Sequence, residues 1–448
     1  MLKGEKAVEI LNDVISGKIL PVFLLLLSVF FLFYLKGRPF RGLFKMLSGI
    51  RENAVDGIAP KRAVMMALAG TLGVGNIAGV ADAINKGGPG VLFWMWVSSI
   101  AAMVIKFAEV TLSLRCRKYD GNDAKGGPMY YLPRPFGAIF ALICLLCALS
   151  VGSVMQTAAC RDAARVCLPA GASFLSVLLP PLLAGALMLT VFAGKKKLFD
   201  LSVRLVPAMT VLYTLLCLIV IGAHIRLLPS VFLSICKGAF GIGTALRGSA
   251  AGFFTALRFG LIRGILSNEA GCGTSPIAHA SSSAKSGAAQ GALGVIEVAV
   301  DTLLLCSLTG LAVLCAGSAG RASSPICAVL SAFSSVFGKL SSYLLLAALL
   351  PFAFATLVCW SFYAKSCLLF LFSHRALITA GMLVFCAFAA FGPLVPERFL
   401  WQVSDLSAAL MTLLNCSALF ARRRDIKEET TTFFDRFAAR RRSSGIDR

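Results

Sequence analysis

The chain has 448 residues, of which 58% are hydrophobic and only 14% charged, and its mean hydropathy is +0.84. A soluble domain carries about 25% charged residues, so the composition excludes a soluble protein and describes a polytopic membrane protein. The net charge of +22 would suit a nucleic-acid binder, but its placement follows membrane topology instead.

About eleven spans are expected at roughly 20 apolar residues per crossing, near 19–35, 63–84, 89–114, 136–158, 172–193, 202–223, 245–268, 288–317, 343–365, 375–393 and 402–421. The first has a basic flank at Lys18 and no small-residue cleavage site, which describes an anchor rather than a signal peptide. With the amino terminus outside, the inner loops and the tail hold 28 Lys and Arg against 10 in the outer loops. The positive-inside rule therefore predicts an outside amino terminus and a cytoplasmic carboxyl terminus, and an odd number of spans agrees. Loop 36–62 interleaves basic residues with Phe40, Leu43, Phe44, Met46, Leu47 and Ile50, as an interfacial amphipathic helix would. The tail from Arg422 mixes both signs; it is expected as a solvated topology anchor, with a short helix on anionic lipid as the alternative.

Fifteen cysteines fall mostly in apolar runs (Cys144, Cys147, Cys217, Cys306, Cys315, Cys386) without metal-ligand spacing, and buried cysteine behaves as a small hydrophobe. Neither disulfides nor a metal centre is inferred. An enzyme within the membrane would need a His/Asp/Glu cluster or a Ser-His pair. Glu109, Glu269, Glu297 and Asp301 are present, but no histidine obviously faces them, His279 stands alone, and no G-x-S-x-G or P-loop signature occurs.

Two glycine-rich stretches interrupt apolar spans. Gly70-Thr71-Leu72-Gly73-Val74-Gly75-Asn76-Ile77-Ala78-Gly79 places four glycines in ten uncharged residues. Each glycine costs a helix about 1 kcal/mol against alanine, and backbone groups freed inside a bilayer must be buried in protein or line a cavity. The second stretch, 257–280, carries Gly260, Gly264, Gly271 and Gly273 around Ser267-Asn268-Glu269. One reading is a pair of helices broken at the bilayer midplane, near Gly73–Gly75 and Phe259–Gly264. The other is close helix packing through small residues. Two interrupted spans five crossings apart point to an inverted-repeat transporter, in which half-helix amino termini favour a carboxylate and unwound carbonyls a cation. Glu269, Arg263 and Arg258 are costly there and are expected to face protein or water in pairs. A channel would need a continuous polar lining, whereas here the polar groups gather at two breaks.

The runs GTLGVGNIAG (70–79), GGPGVLFWMW (87–96), KFAE (106–109), GGPMYYL (126–132), RGILSNEAGCGTSPIAHA (263–280) and FAFATLVCW (352–360), with LVPAMTVLY (205–213) and DTLLLCSLTGL (301–311), resemble the alanine/glycine:cation symporter family over about 60–421. The resemblance implies an all-α polytopic protein with ten core helices in a five-plus-five inverted repeat of the sodium/amino-acid symporter type, preceded by one extra helix. Its parts would be 1–62 (first helix and basic loop), 63–224 and 245–421 (the repeats), and 422–448 (basic tail). It also implies plasma-membrane uptake of small neutral amino acids, alanine or glycine, driven by sodium and without an organic cofactor. Proton coupling, or an amino-acid-sensing receptor with little transport, is the alternative. Carried over residue by residue, the substrate would meet Thr71, Gly73, Gly75, Asn76 and Gln156, with Phe259 and Trp360 closing an apolar pocket. The cation would lie on the Ala69 and Leu72 carbonyls and the Thr356 hydroxyl, with no carboxylate obviously placed to join them. Departures from the family pattern are Ser153 for an asparagine, Ala355 for a serine or threonine, and Lys365 for a glutamate.

Overall fold

A computed structural model describes residues 12, 14–48, 58–121, 123–172, 174–241, 251–320, 322–394 and 397–443. The opening of the expected seventh span (245–250), Ile50 in the first basic loop, and residues 444–448 of the tail lie outside that set.

The described residues are helical almost throughout. In order come α1 (Leu20–Tyr34, entered through a π turn at Ile15–Ile19), α2 (Pro60–Thr71), α3 (Ala78–Gly87), α4 (Val91–Arg115), α5 (Arg134–Leu149), α6 (Met155–Cys167), α7 (Phe174–Phe192), α8 (Lys195–Ala223) and α9 (Leu228–Ala239). Then follow α10 (Ala251–Asn268), α11 (Ser275–Ala280), α12 (Gly287–Val298), α13 (Ser307–Cys315), α14 (Pro325–Phe337), α15 (Ser341–Leu371), α16 (Arg375–Phe391), α17 (Glu397–Ala421) and α18 (Arg423–Ser443). A small antiparallel hairpin, β1 (Lys118–Asp120) with β2 (Asp123–Lys125), follows α4. Among the described residues eight helices are long and apolar enough to cross a membrane, or nine when α2 and α3, bent by 61°, count as one span.

The arrangement turns on α4, which packs along both α10 and α12. Small residues permit the approach: a Cβ at Gly291 of α12 would lie 2.5 Å from Thr111 Oγ1, and one at Gly260 of α10 would lie 2.6 Å from the Val91 carbonyl. A Cβ at Gly264 would fall on Ser98 Oγ, at 1.9 Å. Gly260 and Gly264 therefore serve close packing, and α10 runs unbroken through Phe259–Gly264. This corrects the expected second break, which lies one to two turns farther on, at Glu269–Thr274. The reason is conformational: Glu269, Gly271 and Gly273 have φ of 51°, 84° and 81°, which a helix cannot contain, whereas Gly260 and Gly264 keep helical backbone.

Two helices occupy stretches expected as loops. In α14, Val329, Ala332 and Phe333 are buried, and Ser324 Oγ caps the Cys327 N–H just before Pro325. In α9, Val231, Ile235 and Ala239 face the bundle. The tail is likewise ordered. It forms α18, with Ile426 and Thr430 fully buried, and it is clipped to α4 by Arg115, which meets Glu428 Oε2 at 2.7 Å and Asp425 Oδ1 at 3.6 Å. The basic loop holds two short helices, Arg38–Arg41 and Leu43–Ser48, with Arg38 Nη1 donating to Thr431 Oγ1 at 2.6 Å.

Candidate functional site: two helix breaks joined by one carboxylate

The first break begins where α2 stops. Were the helix to continue, the Gly73 N–H would bond the Ala69 carbonyl and the Val74 N–H the Gly70 carbonyl. Instead Gly73 N donates to Asn76 Oδ1 at 3.1 Å and the Thr71 carbonyl at 3.0 Å, and Val74 N donates to Gln156 Oε1 at 3.4 Å. The Ala69 and Gly70 carbonyls are thereby released from those bonds, and two amides are turned toward side chains. A 3₁₀ turn at Val74–Asn76 leads into α3. Gly73 is extended (φ −119°, ψ −170°), so its glycine is not required by conformation but by crowding: a Cβ there would lie 3.0 Å from Thr356 Oγ1 and 3.3 Å from Gln156 Oε1.

Gln156 comes from α6 just past a π turn at Ser150–Val154, and its Nε2 donates to the Val151 carbonyl at 3.1 Å. Trp360 of α15 lies against the same π turn, since a Cβ at Gly152 would be 2.5 Å from Trp360 Cγ. The Trp360 indole N–H is buried without a hydrogen-bond acceptor among the described residues. Thr356, one turn earlier, donates to the Leu72 carbonyl at 3.3 Å and the Phe352 carbonyl at 3.0 Å. Gly73, Asn76, Gln156, Thr356, Trp360 and the Leu72 carbonyl thus converge, and Asn76, Gln156, Thr356 and Trp360 are all buried.

The other expected residues fare differently. Ala69 is buried one turn before the break. Thr71 is buried, with its hydroxyl reaching the Leu68 carbonyl at 3.5 Å rather than any residue of the cluster. Gly75 faces α10, where Arg263 donates to its carbonyl. Phe259 packs on Gly87, with 3.3 Å to a Cβ built there. That is the opposite end of α3 from the break, about 15 Å away for ten helical residues, so Phe259 is not part of the pocket. Arg263 occupies the place by the break, because residue 263 is one turn closer along α10.

Asp301, fully buried in the π-helical segment Ala299–Cys306 between α12 and α13, is a carboxylate that stands beside the first break, bonded to Asn76 rather than to the expected cation ligands Ala69, Leu72 and Thr356. Its Oδ1 accepts from Asn76 Nδ2 at 2.6 Å, and its Oδ2 from Ser267 Oγ at 2.9 Å and Thr302 Oγ1 at 2.8 Å. Asn76 belongs to the first break and Ser267 to the last turn before the second, so one carboxylate holds both. Thr309 Oγ1 caps the Asn76 carbonyl at 2.9 Å and meets Tyr213 Oη at 2.8 Å.

The second break is held by polar groups in place of helical bonds. The Asn268 side chain donates to the Gly264 carbonyl at 2.6 Å and accepts from Ala270 N at 3.0 Å. Glu109 Oε2 accepts from Gly271 N at 3.2 Å, and Asn415 Nδ2 donates to the Gly271 carbonyl and to Glu109 Oε2, each at 2.8 Å. Thr274 Oγ1 closes on Glu269 Oε2 at 2.6 Å. Beside it lies a fully buried ionic group. Lys106 Nζ is 3.4 Å from both Glu109 Oε1 and Glu297 Oε1 and donates to Ser275 Oγ at 2.8 Å. His279 Nε2 meets Glu297 Oε2 at 2.9 Å, while its Nδ1 lies 2.8 Å from Gln290 Nε2. His279 therefore does not stand alone: α11 turns it toward α12, which the linear sequence does not show. The spacing Lys106–Glu109, one helical turn, was the visible half of this group.

The cluster offers amides, released carbonyls, the Gln156 amide and the Thr356 hydroxyl. Residues 1–445 match the sodium:alanine symporter family. The chain belongs to that family. Relatives include the probable sodium/glutamine symporter GlnT of Bacillus subtilis, 33% identical over 93% of this chain and 88% of the relative, and the sodium/alanine symporter AgcS of Methanococcus maripaludis, 30% identical over 85% of each. Among solved structures, a mutant of the manganese transporter of Eremococcus coleocola superposes with a TM-score of 0.54 at 14% identity, over 80% of this chain and 77% of that one. That likeness speaks for the fold alone. This family member is a transporter.

Proposed function

We propose that the protein imports alanine or glycine together with sodium by alternating access, across the plasma membrane, with its amino terminus outside and its tail in the cytoplasm. The single observation carrying this reading is the first break, where Gly73, Val74, Gln156 and Thr356 meet at released backbone groups. Gln156 Oε1 sits on the Val74 N–H at 3.4 Å, the position a substrate carboxylate oxygen would take. When the carboxylate takes that amide, the Gln156 amide is free to turn and donate to it. Sodium would bind the Ala69 and Leu72 carbonyls and Thr356 Oγ1, whose oxygen keeps a lone pair free while its hydrogen is donated to the Phe352 carbonyl. Asp301, bonded to Asn76 just past the two amides, supplies the negative charge that the cation and the substrate ammonium need. Gly73 against Thr356, and Trp360 against Gly152, would wall in a side chain no larger than a methyl group.

In this reading the eleven crossings comprise α1, the pair α2–α3, α4, α5–α6, α7, α8, α10–α11, α12–α13, α15, α16 and α17, with residues 63–224 and 245–421 as inverted repeats. The broken members are then the first of each repeat. Since the substrate-facing side chains are buried, loading and release require the bundle to open.

The test is uptake into proteoliposomes under an imposed sodium gradient. Alanine and glycine should enter, leucine should not, and glutamine should enter poorly. Gly73→Val should abolish binding with expression retained. Uptake that follows a pH gradient without sodium would replace the ion, and leucine or glutamine transported as well as alanine would overturn the assigned pocket.

A further inference from the structure

Transport as described makes no use of a groove between the end of α1 and the first half of α18. Tyr34, Arg424, Lys427, Glu428, Thr431 and Thr432 line an open volume of about 460 Å³. Its charge is positive: Glu428 is taken by Arg115 at 2.7 Å, whereas Arg424 and Lys427 form no ion pair among the described residues. Lys427 Nζ stands 4.8 Å above the Tyr34 ring, and Arg38 is held beside the groove by Thr431.

Directly above, toward the apolar band, the wall changes character. Phe30 stacks on Tyr34 at 5.3 Å and meets Phe420 of α17 at 5.1 Å. Val29, Phe33 and Phe420 are 50%, 77% and 46% exposed, and Arg423 covers the Phe420 ring at 4.7 Å. An apolar lane facing the membrane thus runs into a cationic, hydroxyl-lined groove at one membrane boundary.

We infer that this groove is a binding site for an anionic phospholipid, with its phosphate on Arg424 and Lys427 and its acyl chains along Phe30, Phe33 and Phe420. A soluble phosphate ester or an acidic peptide would use the cations and leave the lane idle. The bound headgroup bridges α18 to α1. Because α18 also meets α4 through Arg115 and caps α12 through Glu429 Oε1, which accepts from Gly287 N at 2.9 Å, the lipid fastens the tail to the helices whose Glu109 and Glu297 bond Gly271 and Ser275 at the second break.

The experiment measures binding of phosphatidylglycerol and of phosphatidylcholine to the full-length protein in a neutral detergent by native mass spectrometry. It is paired with the thermal midpoint in phosphatidylcholine vesicles with and without phosphatidylglycerol. The wild type should retain phosphatidylglycerol preferentially and gain stability from it. Each basic residue at an anionic surface is worth ~1 kcal/mol, so Arg424→Gln with Lys427→Gln should weaken retention about thirtyfold. Arg424→Gln alone should give about fivefold and serves if the double variant does not fold. The charge-matched control Lys45→Gln with Arg436→Gln should leave retention unchanged. Equal retention of both lipids, or an equal loss in the control, would overturn the site. Soluble glycerol phosphate binding as tightly as the lipid would overturn the lipid assignment in favour of a free phosphate ester.

Discussion

Lys106 gives the sharpest test of how the second break is held. It is fully buried, 3.4 Å from each of two buried carboxylates, and bonded to Ser275 at the start of α11. Lys106→Met keeps most of the length of the side chain and removes its charge, leaving Glu109 and Glu297 without the cation between them. Losing one partner of a buried ion pair typically costs about 3–5 kcal/mol. At ~2.1 cal/mol/K of unfolding entropy per residue, a chain of 448 residues loses about 1 °C of melting midpoint per kcal/mol, so the midpoint should fall by about 3–5 °C. Adding Glu297→Gln removes one of the stranded charges. Contacting residues couple by about 0.5–3 kcal/mol, so the double variant should recover roughly 1–3 °C. The assay is thermal unfolding of purified protein in detergent, read by intrinsic fluorescence and by retention of a monodisperse species. An unchanged midpoint in Lys106→Met, or a double variant no more stable than the single one, would refute the argument that this lysine compensates Glu297.

Three further outcomes follow from the same geometry. Ala355→Ser adds an oxygen beside Thr356; at about 1.5–3 kcal/mol for a bond to a charged group it should lower the half-saturating sodium concentration for alanine uptake about tenfold, and Thr356→Ala should raise it. Unchanged values in both place the ion elsewhere. Asp301→Asn keeps the shape and removes the charge, so sodium-driven uptake should fail in a protein that still purifies as a folded species; an unaltered sodium dependence would remove Asp301 from the charge balance. Gly264→Leu drives a side chain into Ser98 of α4, and since overpacking costs about 1–3 kcal/mol even for smaller intrusions, size-exclusion profiles should show little folded protein, whereas Gly185→Leu, where a Cβ meets nothing within 4 Å, should behave as wild type.

What the sequence disclosed was set by range. The apolar helices and the first break were legible because hydropathy and four clustered glycines are local signals. Gln156 and Thr356 were reached through the family resemblance, and the structure brings both to Gly73. The second glycine stretch was harder. Gly260 and Gly264 look in one dimension like Gly73 and Gly75, and only the approach of α4, with Ser98 where a side chain would stand, distinguishes packing from breakage. Phe259 failed for the same reason, since moving the break from 259–264 to 269–274 moves the pocket away from it. The Ser324 cap and Pro325 at the start of α14 are local signals that a count of apolar runs does not use. The ordered tail was legible only in its charges, because its clasp depends on Arg115, roughly 300 positions earlier.

Asp301 was hidden for a deeper reason. A lone carboxylate in an apolar run usually marks function, but its partners, Asn76 and Ser267, lie 225 and 34 residues away. Nothing in DTLLLC says which face of the helix it takes. The π segment Ala299–Cys306 matters here, because a π turn displaces a side chain from the direction an α-helix would give it. Through that turn one carboxylate reaches a donor at the edge of each break. Asn76 is held on Oδ1 and Ser267 on Oδ2, so the same side chain touches both breaks through separate oxygens. The two breaks are thus bridged by two hydrogen bonds to a single buried group, with no chain of intervening side chains between them.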